Sequence, residues 1–133
     1  MSTRLLHAGV ALALLTACTT VTEVPAAKPT VGGEVSPPYG FVGYCLREKA
    51  DCSGGTDAPK PITMTPDRWA ELNAVNAFVN HLPQVEDIER YHVLEYWTVA
   101  DDKGGDCEDM ALRKRAELIA RGWPADELLM TTV

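Results

Sequence analysis

Gly104-Gly105-Asp106-Cys107-Glu108-Asp109-Met110-Ala111-Leu112-Arg113-Lys114 joins a glycine turn to a charged, amphipathic run, and a cysteine stands at the junction. The paired glycines mark a turn. Asp106 then has the character of an N-cap, with Asp109 three residues later in a variant of the capping box, which puts Cys107 in the first turn of a helix. Ala111, Leu112, Ala116, Leu118 and Ile119 give that helix an apolar side. Arg113, Lys114, Arg115 and Arg121 cover the rest, and Gly122 with Pro124 ends it. A thiol in a first turn meets the positive end of the macrodipole, which favours the thiolate. Asp106, Glu108 and Asp109 oppose this, because like charge raises a thiol pKa. A hard cation among the carboxylates would remove the conflict, and oxygen ligands suit calcium. Three acids at a helix start also serve as plain helix-end electrostatics.

The same run, with Trp97 shortly before it and Gly122-Trp123-Pro124 after it, resembles the signature of the bacterial transglutaminase-like cysteine peptidases. Gly-Asp-Cys-Glu-Asp opening a helix carries the likeness. Phe41 to Cys52 and the helix from Trp69 also look like that family's amino-terminal half, so the resemblance covers roughly residues 37–133. It implies an α+β, papain-like or transglutaminase-like fold, with Cys107 as the nucleophile on a helix packed against a sheet. It further implies calcium held by the flanking acids Asp106 and Glu108, and a protein substrate of the surface-adhesin kind. Met110 departs from the aromatic residue usual at its position. The larger departure concerns the general base. The family takes its His and orienting Asp from strands downstream of the cysteine, whereas only 26 residues follow Cys107 and none is His. Residues 39–133 are therefore expected to be an incomplete domain, its helical part present and its carboxy-terminal sheet largely missing, and inactive by itself. His92 lies upstream, where the family pattern has no catalytic residue.

Earlier in the chain, Thr65-Pro66-Asp67-Arg68 reads as a helix start, since Thr accepts from free backbone N–H groups and Pro suits the first helical position. Trp69, Leu72, Val75, Val79 and Leu82 then share one face, predicted to be core, and Pro83 stops the run. Tyr91 to Trp97 is expected to be a strand or packed loop. Leu128 to Val133 has the composition of a buried strand, yet has little to pair with, which again points to an incomplete domain.

Arg4 and the apolar run Leu5 to Leu15 have the form of an export signal, too short to span a bilayer. Leu15-Thr16-Ala17-Cys18 resembles a lipobox, which implies cleavage before Cys18 and acylation of Cys18, with residues 1–17 as signal peptide. An ordinary cleaved signal with an incidental cysteine is the alternative. Thr19, where an Asp would favour inner-membrane retention, implies the periplasmic face of the outer membrane. Residues 18–38, rich in Pro, Thr, Val and Ala, read as the lipidated cysteine and a tether. Loss of Arg4 takes the net charge from −7 to −8, which argues against nucleic acid as a partner and leaves membrane attachment to the acyl chains. Export makes cysteine pairing a live question. Cys45 and Cys52 lie in a loop-like stretch that a disulfide can close, leaving Cys107 as the free thiol; bridges from Cys107 to Cys45 or Cys52 stay open. Two other functions share these features, a lipid-anchored calcium- or partner-binding module without catalysis, and a thiol-dependent acyl transferase.

Overall fold

Gly40 and Gly43 make residues 39–47 poor helix formers, yet they form helix α1 (Tyr39–Arg47), followed after Glu48 by the single turn α2 (Lys49–Cys52). The expectation of a loop is corrected here, and the cause is packing. A Cβ on Gly40 would lie 2.4 Å from Cδ1 of Trp97, so the glycine lets α1 close onto the indole. Tyr44 is buried and its hydroxyl donates to Asp51, while Arg47 donates to the Trp97 carbonyl at 2.7 Å. Cys45 and Cys52 are joined by a disulfide, their Cα atoms 5.4 Å apart. In this computed structural model residues 32–53 and 61–131 are described, so the signal peptide, Cys18 and most of the tether lie outside the described residues.

Helix α3 (Pro66–Asn80) begins as its sequence predicts, with Thr65 accepting from the Arg68 amide at 3.2 Å. Val75 and Val79 are buried and Leu72 and Leu82 partly so, but Trp69 is 52% exposed and is not core. The indole that fills this core belongs to Trp123, whose N–H donates to Glu71 of α3 at 2.6 Å. Helix α3 packs on helix α5 (Cys107–Ala120), which supplies Leu118 to the same cluster. A second cluster gathers Tyr44 of α1, Trp97 and Leu112 of α5. Helix α5 ends at Gly122, in the left-handed region at φ +87°.

Between α3 and α5 the chain makes a short helix α4 (Asp87–Tyr91) and leaves it through His92, left-handed at φ 60°. Tyr91 thus closes a helix rather than starting a strand, and the part of the expectation that holds is a packed loop. The amide of Ala100 donates to the Asp109 carbonyl at 3.3 Å, the amide of Thr98 to its carboxylate at 2.7 Å, and Arg113 to the Ala100 carbonyl at 2.8 Å. After a 3₁₀ turn (Ala125–Glu127), residues 128–131 form no strand, and Leu129 is 72% exposed. The strand expected there is corrected within the described residues. Arg115 of α5 donates to the Leu128 carbonyl at 2.9 Å, so a side chain rather than a neighbouring strand satisfies it. Among the described residues there are helices, loops and two isolated bridges, Gln84 with Gly105 and Asp101 with Gly104. This corresponds to the helical part of the expected α+β domain, without its sheet.

Candidate active site

The glycine turn sets the geometry from which the site is built. Gly104 sits at φ +89°, and a Cβ there would lie 1.7 Å from the Pro83 carbonyl oxygen. Only glycine permits that approach. Gly105 then donates to Pro83 at 3.2 Å and accepts from the Val85 amide at 3.1 Å. Arg90 reinforces the junction by donating to the Gly104 carbonyl and pairing with Asp101 at 2.6 Å. Residues 83–90 are thereby fastened to the turn that opens α5, and the first residue of α4, Asp87, comes to rest beside Asp106.

One carboxylate oxygen from each of Asp87, Asp106 and Glu108 lies within 4.8 Å of the others. The sequence-predicted pair Asp106 and Glu108 is therefore together, joined by a third acid that sequence reasoning missed. Asp106 occupies the N-cap position but makes no capping hydrogen bond, so the capping box with Asp109 does not form. Asp109 points its Oδ1 at the Thr98 amide instead, which anchors the loop before the site. Asp87, Asp106 and Asp109 are all buried, and each has one oxygen with no hydrogen-bond partner within the protein: Oδ1 of Asp87, Oδ1 of Asp106 and Oδ2 of Asp109. Burial, followed by the charges of Glu108 and Asp87, raises the Asp106 pKa to about 6. Burial also raises Asp109 to about 7, against the favourable Thr98 amide.

Cys107 is the first residue of α5 and is exposed, and it is the free cysteine among the described residues. Its Sγ donates to Glu108 Oε2 at 3.0 Å. That hydrogen bond, then burial, then the charges of Glu108 and Asp106 push the thiol up to about 11. Between the helix dipole and the acids, the acids prevail. The histidines take no part in this arrangement: the ring of His81 bonds the Ala77 carbonyl at the end of α3, His92 is exposed in the bend after α4, and His7 lies outside the described residues.

The sequence profile of the bacterial transglutaminase-like cysteine proteinases (BTLCP) matches residues 31–133. The chain belongs to this family. Comparison with curated proteins and with solved structures returned no match. In this family member an exposed thiol at a helix start sits beside carboxylates that outweigh the help its thiolate gets from the Glu108 backbone N–H. Three buried or half-buried carboxylates that share a point, two of them with an orphaned oxygen, are what a hard cation requires. Oxygens on one calcium at about 2.4 Å stand at most about 4.8 Å apart, so the trio is close enough for one ion to draw together. A cavity of about 610 Å³ lies elsewhere, between α1, α5 and residues 125–130, and none of the Cys107 turn lines it.

Proposed function

We propose that this transglutaminase-like cysteine proteinase hydrolyses peptide bonds with Cys107 as nucleophile and with Asp106 and Glu108 holding calcium beside it. The carrying observation is the exposed, unbridged thiol at the start of α5 within that carboxylate ring. A bound calcium ion would supply the positive charge that offsets the acids and lets the helix dipole favour a thiolate. The chain's own residues do the rest of the positioning. Gly104 fixes the turn, Asp109 holds the loop at Thr98, and α5 presents Cys107 to solvent. Attack of the Cys107 sulfur on a peptide carbonyl would give an acyl-enzyme and release the amine, and water would then release the acid.

The Cys107 thiol hydrogen bond goes to Glu108 rather than to a histidine, so these residues are proposed to be silent alone and to act with a His- and Asp-bearing segment. The lipobox at Cys18 supports an exported lipoprotein at the periplasmic face of the outer membrane, and the family resemblance supports a surface protein such as an adhesin as substrate. The test joins a downstream His- and Asp-bearing segment of a family member to this chain and follows cleavage of an unfolded protein with calcium or chelator. Cleavage with calcium that is lost in Cys107→Ser is expected. Cleavage that survives Cys107→Ser would remove the nucleophile assignment, and amide exchange with an added amine in place of hydrolysis would make the protein an acyl transferase.

A further inference from the structure

We infer that the outer face of α1 is a membrane-docking surface, where Tyr39, Val42 and Leu46 enter the interface of a zwitterionic phospholipid bilayer. The inference rests on the lipid anchor proposed at Cys18 and gives the folded domain a bilayer contact of its own. Tyr39, Val42 and Leu46 recur at i, i+3 and i+7, which places them on one side of the helix. They are 68%, 42% and 69% exposed. The other side of α1 is already covered, since Gly40 and Tyr44 are buried and Phe41 meets the Trp97 ring edge-on at 5.6 Å. A surface helix ordinarily turns charged residues to water. The single charged residue of α1, Arg47, is engaged elsewhere: it donates to the Trp97 carbonyl and lies over the Tyr96 ring. On α3, by contrast, the exposed Trp69 and Phe78 stand on opposite sides and build no common face.

The place of α1 in the chain says what covers its stripe. It is the first described helix after Cys18, and the twenty residues between Cys18 and Tyr39 can span at most about 70 Å. An acylated Cys18 therefore keeps α1 within that distance of the bilayer. Three side chains are too few to hold a protein on lipid from free solution, but they suffice once the anchor makes docking intramolecular. Tyr39 suits the headgroup level, with an apolar ring and a polar hydroxyl. Arg47, Glu48 and Lys49 at the end of α1 sum to one positive charge, while the whole chain carries −7, so the contact is apolar and needs no anionic lipid.

The experiment takes the exported, membrane-extracted protein and reconstitutes it in vesicles of phosphatidylcholine and phosphatidylethanolamine doped with a phosphatidylcholine that carries a photoactivatable acyl chain. Mass spectrometry checks Cys18 for acylation and maps lipid adducts along residues 35–131. Adducts concentrated on Tyr39–Arg47 are expected. Val42→Ser combined with Leu46→Ser should reduce them about tenfold or more at an unchanged melting temperature, and Leu94→Ser, at an exposed residue outside the stripe, should leave them as they were. Acylated Cys18 with adducts elsewhere, or with none, would overturn the docking surface and leave the anchor standing. An unacylated Cys18 would overturn both. A dimer in detergent that the double variant dissociates, without adducts on α1, would assign the stripe to a second copy and overturn the inference. Should the double variant melt lower than wild type, the wild-type map decides, and labelling of residues 69–94 as dense as that of α1 would end the argument.

Discussion

Glu108 holds the Cys107 thiol in its protonated form through a direct hydrogen bond and its charge. Replacing it with Gln removes the charge and keeps the size. In chelator, Glu108→Gln should alkylate faster with iodoacetamide at pH 8 than wild type, and its rate–pH midpoint should fall from the raised value near 11. A midpoint unmoved by the substitution would show that Glu108 does not control the thiol. Two glycines offer a second comparison at this scale. Gly104 and Gly122 share a left-handed φ of +89° and +87°, but a Cβ meets the Pro83 backbone at Gly104 and open space at Gly122. Gly122→Ala should therefore cost about 1–2 kcal/mol, the dihedral penalty alone. Gly104→Ala should cost clearly more in urea melts, because Pro83 and Gly105 must separate. Equal losses would mean that the close approach is not a constraint.

Among the elements, α3 and α5 owe their stability to one shared interface. Val79 is fully buried in it, so Val79→Ala should lose about 2 kcal/mol, two methyl groups and the space they leave. Thr65→Ala, which removes only the helix cap, should lose about 1 kcal/mol. A Thr65→Ala loss exceeding that of Val79→Ala would contradict this ranking. These two helices were legible because their signals are local: Thr65-Pro66 at one start, the glycine pair at the other, and apolar residues at helical spacing. Helix α1 was not, since Gly40 reads as a breaker until Trp97, far along the chain, is seen to need the space. Trp69 failed for the related reason that periodicity names a face but not how far its cover extends, and Trp123 took the place. Cys107, Asp106 and Glu108 were found from their motif. Asp87 was not, because an acid opening a five-residue helix is commonplace, and its meaning comes from the approach of Pro83 to Gly104.

For the whole molecule, the buried acids tie stability to pH. Asp106 and Asp109 have pKa values raised to about 6 and about 7 in the folded chain, from 3.8 ordinarily. The folded state then holds these protons more tightly than the unfolded one. The corresponding stability is fully present below about pH 4 and is lost as pH rises through about 7. In chelator the melting temperature should thus be higher at pH 5 than at pH 8, and added calcium should recover much of the difference at pH 8. A melting temperature that rises with pH in chelator would refute the assignment of raised values. The two core clusters carry one tryptophan each, and this gives the molecule a pair of built-in optical reporters. Trp123 belongs to the α3–α5 cluster and bonds Glu71, Trp97 belongs to the α1–α5 cluster and bonds Glu95, and Trp69 is half in water. With Trp69 and one of the other two tryptophans changed to Phe, the remaining indole reports its own half of the interior. Whether the halves lose their blue-shifted fluorescence at one temperature or at two reveals whether α5, which serves both, makes them a single cooperative body.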